Sequence, residues 1–90
     1  MENRNYWLKC AKVSKGMLPD EYAIETTTTS GQTISLFVSG KGELIEPGKN
    51  LIRVDLVEGG PEACLIYLPA SPLEVSSRFV CVPSESVIEQ

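Results

Sequence analysis

The sequence predicts an all-β fold, a small six-stranded antiparallel barrel or sandwich with at most one or two short helical turns. Three observations carry that expectation. Glycine and proline interrupt the chain so often that the longest stretches free of both are 1–15, 20–30, 49–58 and 73–82. An ordinary helix needs about 10–12 residues with a 3.6 period. Inside those stretches the apolar residues instead alternate with polar ones, as they do in half-buried strands.

The first strand is expected over about 6–14, with Tyr6, Leu8 and Cys10 inward. Ala11 and Val13 then fall out of phase, which predicts a bulge or exposed apolar positions. The second strand, about 20–29, turns Tyr22 and Ile24 inward and Glu21, Ala23 and Glu25 outward. Its run Thr26–Thr29 suits a strand because β-branched side chains are stiff at χ1. Thr26 and Thr28 are expected half-buried, Thr27 and Thr29 solvated. Ser30-Gly31 is a tight turn into a third strand over 32–38, where Ile34, Leu36 and Val38 face in and Thr33, Ser35 and Phe37 face out. The fourth strand is 50–58, with Ile52, Val54 and Leu56 alternating with Arg53 and Asp55. After the turn Glu58-Gly59-Gly60-Pro61, residues 62–68 are apolar on both faces and are expected in a central position. The sixth strand, 77–82, places Phe79 and Cys81 on one face and Val80 and Val82 on the other. Two polar-apolar tails, 39–46 and 83–89, follow strands three and six. Pro83-Ser84-Glu85 resembles a helix start with Ser84 as its cap.

The two halves also read alike. Residues 7–16 lie over 51–60 at an offset of 44, so that Leu8 meets Ile52, Lys9 meets Arg53 and Gly16 meets Gly60. At an offset of 43, Leu36-Phe37-Val38 lies over Phe79-Val80-Cys81, and Leu44-Ile45-Glu46 over Val87-Ile88-Glu89. Two such pseudo-symmetric three-stranded units can close into a six-stranded barrel about a twofold axis. The competing explanation is chance likeness between two β-rich halves.

Composition sets the functional bounds. Ninety residues make a single domain, 1–90, and 42% hydrophobic residues suffice for a folded core. The chain contains no histidine, so neither a Ser-His-Asp nor a Cys-His arrangement can be built. Paired carboxylates occur at Asp20-Glu21 and at Glu43 and Glu46, in loops where solvated charge is the simpler reading. Ser39-Gly40-Lys41-Gly42-Glu43 resembles a phosphate loop. A Rossmann pattern would need glycine where Ile45 stands, and a Walker loop would need it at Pro47. No stretch offers the alternating oxygens of a calcium loop. The expectation is therefore no enzyme, no cofactor and no metal.

Three cysteines, Cys10, Cys64 and Cys81, form no CxxC pair and stand among apolar neighbours, which fits reduced thiols in the cytoplasm. No apolar run reaches the ~20 residues of a membrane helix, and no apolar segment follows the polar start as a secretory signal would. Net charge is −4, from 8 basic and 12 acidic residues. It divides unevenly. Residues 1–15 carry Arg4, Lys9, Lys12 and Lys15 against Glu2, whereas 16–90 carry the remaining 4 bases and 11 acids. Such lysines mark either a partner surface or an edge strand protected from edge-to-edge pairing.

These features point to a small cytoplasmic adaptor or assembly module that binds another protein. Its contact residues are expected among Trp7, Lys9, Lys12, Phe37 and Tyr67, whose alternation sets the aromatics away from the core side. One alternative is a nucleic-acid-binding barrel using Lys9, Lys12 and Lys15 with Tyr6 and Trp7, which the net charge opposes. Another is a homo-oligomeric structural or regulatory protein whose outward apolar residues meet a second copy.

Overall fold

A computed structural model describes residues 6–40 and 44–89. The described residues form nine antiparallel strands: β1 (Tyr6–Lys9), β2 (Lys12–Lys15), β3 (Glu21–Thr27), β4 (Thr33–Ser39), β5 (Ile45–Glu46), β6 (Leu51–Glu58), β7 (Ala63–Tyr67), β8 (Phe79–Pro83) and β9 (Val87–Glu89). One sheet has the order β8-β7-β6-β1-β9, with β5 also paired to β6, and the other the order β2-β3-β4. Among the described residues no sheet closes on itself. Arg4 and the Lys41–Glu43 part of the glycine loop lie outside the described residues.

The single strand expected over 6–14 is two strands in two sheets. The break falls at Cys10-Ala11, where the alternation slips. The Ala11 N–H donates to Glu25 O, while Lys12 is the residue registered opposite Glu25, so two residues face one. That bulge turns the chain from β6 toward β3. β6 makes a matching change. Its Leu51–Val54 half pairs with β1, while its later residues pair with β7 across a register shift that leaves Val57 unpaired and half exposed.

The β3–β4 hairpin follows the expected alternation. Ile34, Leu36 and Val38 are buried and Phe37 is exposed. Its turn needs Gly31, which sits at φ 87° where a side chain would be strained. Thr26 is 3% exposed and Thr28 partly buried, with Thr27 and Thr29 exposed, as the strand reading expects. β7 occupies the interior position between β6 and β8.

Two strands were not legible. Val87–Glu89 forms β9 on β1, and Ile45–Glu46 forms β5 on β6. The expected helix start at Ser84 is one 3-10 turn, Ser84–Ser86, without a side-chain cap. The Ser84 hydroxyl instead donates to Gly60 O at 2.7 Å, tying the turn to the β6–β7 connection. A second 3-10 turn, Pro47–Lys49, ends at Asn50 in the left-handed region, whose carbonyl accepts the Cys10 N–H.

Strand order repeats between the halves. β2-β3-β4 is mirrored by β6-β7-β8, while β5 pairs with β6 as β9 pairs with β1. Leu8 lies between Ile52 and Val87, and Ile52 lies between Leu8 and Ile45. The registers correct the offset of 43. Phe37 stands opposite Ala23 as Cys81 stands opposite Leu65, so Phe37 corresponds to Cys81 rather than Val80. By the same logic Ile45 corresponds to Val87. The inward residues of both sheets, among them Leu8, Ile24, Leu36, Ile52, Ile66 and Val82, form one buried cluster.

Candidate interaction face

The outer face of the larger sheet gathers aromatic and charged side chains into one cluster. Cross-strand register sets Asp55 beside Tyr67 and Tyr67 beside Phe79, so the three form one row. The Tyr67 and Phe79 rings lie 4.7 Å apart, tilted at 55°, and Phe79 is 52% exposed. Arg78 completes the cluster. Its Nε–H donates to Leu68 O at 3.0 Å, and its guanidinium carbon lies 4.6 Å over the Tyr67 ring. Stacking and the hydrogen bond together fix the plane of the guanidinium. Beside it runs a groove of about 330 Å³ lined by Leu44, Arg53, Asp55, Tyr67, Pro69 and Arg78, among others.

The five expected contact residues do not come together. Trp7 is 8% exposed, which corrects its reading as an exposed aromatic. Alternation did place it opposite Leu8, but β6 and β9 flank β1 there with Arg53 and Ile88 at its sides. Period two identifies a side, not what covers it. Lys9 is exposed on β1, and Lys12 is exposed on β2 at the edge of the other sheet. Phe37 is 42% exposed on β4. Tyr67 alone belongs to the aromatic row. Phe79 and Arg78 were missed because only the β7–β8 register brings them to Tyr67.

The edges beside this face are largely sealed. Leu68 N–H donates to Arg78 O, and Ser84 N–H to Glu62 O, so the odd positions of β8 point away from β7. There the Ser77 hydroxyl accepts from Phe79 N–H and donates to Phe79 O. Thr29 N–H donates to Cys81 O, and Pro83 has no N–H to offer. The edge of β4 is held at Ser35, whose carbonyl accepts Leu73 N–H and whose N–H donates to the Glu74 carboxylate at 2.6 Å. That hydrogen bond holds the Glu74 carboxyl below its ordinary value of 4.5. Along β8 and β4 a ligand therefore meets few free main-chain groups.

The thiols give no paired chemistry. Cys10 and Cys64 are buried and Cys81 is exposed, all unpaired. Burial pushes the Cys10 thiol up to about 12, against a lowering hydrogen bond with Thr26. At neutral pH it is a protonated core residue with its S–H toward Leu8 O. Among the described residues no three metal-ligating side chains cluster, and no helix is long and apolar enough to cross a membrane.

The chain matches no family model, no curated protein and no solved structure.

Proposed function

We propose that this chain is a non-enzymatic binding module, an adaptor or assembly factor of a reducing compartment, which takes a partner protein on the outer face of β6, β7 and β8. The observation that carries this reading is the Phe79–Tyr67–Arg78 cluster, with the Phe79 ring exposed, beside a groove. Aromatic and arginine side chains are the types that dominate protein interfaces. The occupied edges of β8 and β4 favour recognition by this face over strand addition at those two strands. The nucleic-acid reading has less support, because the buried Trp7 offers no ring for a base to stack on and Lys9 sits in a different sheet from Lys12 and Lys15. In the same reading the halves are copies of one unit and the strands approximate a barrel. What supports the barrel is the segment 79–89, which pairs with β7 through β8 and with β1 through β9.

The test uses two exposed phenylalanines. Proteins captured from the source cells by the purified chain should be lost with Phe79→Ser and retained with Phe37→Ser. Retention with Phe79→Ser removes the face from consideration.

A further inference from the structure

We infer that the groove beside Arg78 takes an acidic, apolar peptide segment of the partner, with one carboxylate on the Arg78 guanidinium and an adjacent aliphatic or aromatic side chain on Tyr67 and Phe79. This rests on the protein-binding reading above and names the chemistry of the partner.

The first support is the state of Arg78. It is partly buried, stacked on Tyr67 and held through Nε by Leu68 O, yet makes no ion pair among the described residues. The chain has 12 carboxylates, and none of the described ones is brought to this guanidinium. Its two terminal nitrogens carry the paired donors that match a carboxylate bidentately. Because the side chain is already fixed, little rotamer freedom is left to lose on binding. The second support is what surrounds it. The exposed ring of Phe79 and the half-buried ring of Tyr67 give an apolar platform beside the charge.

Asp55 decides between two kinds of anion. It lines the same groove, and Glu58 lies one row further along β6, in a chain of net charge −4. A run of phosphates would meet both acids along the face, whereas a single carboxylate needs only the Arg78 guanidinium. The complement is thus a peptide with one acid beside an apolar residue, not a nucleic acid.

Random peptides displayed on phage and selected on the purified 90-residue chain supply the probe. Enriched peptides should carry Asp or Glu within two positions of an aromatic or aliphatic residue. For a synthetic enriched peptide measured by fluorescence anisotropy, Glu→Gln in the peptide and Arg78→Gln in the protein should each weaken binding roughly tenfold to hundredfold. Combined, they should weaken it little further, since both remove one contact. The peptide-side change keeps the test valid if Arg78→Gln unfolds the protein. No enrichment, enrichment without acids, or a Glu→Gln peptide that binds equally well each overturns the inference. So does a single-stranded DNA probe that binds more tightly than the best peptide. Apolar peptides lost with Phe79→Ser but not with Arg78→Gln would overturn the acid while leaving the face. Peptides lost with neither would overturn both.

Discussion

The outward residues of β7 and β8 can be set position for position against those of β3 and β4. Leu65 and Cys81 face each other where Ala23 and Phe37 do in the other half, and Tyr67 and Phe79 stand where Glu25 and Ser35 do. The inward residues agree far better: Ile66 beside Val80 matches Ile24 beside Leu36, and Cys64 beside Val82 matches Tyr22 beside Val38. A shared core demands apolar volume of both halves, so their inner faces stay alike. The aromatic row with its stacked arginine has no counterpart on the outer face of β3 and β4, where Glu25 and Ser35 stand instead. That difference is what the proposed binding role assigns to the second half.

The largest expected effect tests the likeness itself. Leu8 and Ile52 are each other's cross-strand partners, both fully buried at the junction of the halves. Leu8→Ala and Ile52→Ala should each cost about 2–5 kcal/mol in urea unfolding. A loss at one site several times that at the other would break the equivalence. Next come the matched glycines. A Cβ on Gly60 would lie 2.8 Å from the Ala63 carbonyl oxygen, a backbone atom with little room to yield. A Cβ on Gly16 would meet the Glu21 side chain, which can swing away at the loss of its hydrogen bonds from Met17 and Leu18 N–H. Gly60→Ala should destabilise by about 1–3 kcal/mol and Gly16→Ala by less. The reverse order would show that the two turns are not held as described.

The smallest effect concerns the connection 68–78, which is longer than the β3–β4 turn and crosses to β4. Glu74 titrates lower in the folded chain than in the unfolded one, so the stabilisation by its contact with Ser35 is complete above the ordinary value of 4.5 and is lost as pH falls through the lower native value. The Ser35 amide resonance should therefore follow a titration below pH 4.5, and Glu74→Gln should abolish it. Titration of that amide at the ordinary value would mean that the carboxylate does not hold β4.

The architecture was legible where alternation ran long. Ile34, Leu36 and Val38 repeat three times on one side, and a single residue of slip would have exposed all three. Val87–Glu89 and Ile45–Glu46 are too short to show a period; they are strands because β1 and β6 have open sides to receive them. The candidate site was legible at Tyr67 only. Its partners Phe79 and Arg78 follow a connection of about ten residues, and no local pattern specifies the register that returns them to Tyr67. The misplacement of Trp7 has the same origin, since its burial depends on strands that lie far away in sequence.

The pairing of β9 with β1 also sets a timetable. During synthesis the β1 segment is made first among the described strands, yet one of its neighbours is β6 and the other is β9. At roughly 5–20 residues per second, the ribosome takes on the order of 4–16 s to go from Leu8 to Val87. For that interval Trp7 and Leu8 have no finished sheet to enter. The nearby Lys9, Lys12 and Lys15 keep the segment charged over that interval, and in the folded molecule Lys12 and Lys15 stand on β2, an edge strand, where lysines oppose edge-to-edge pairing.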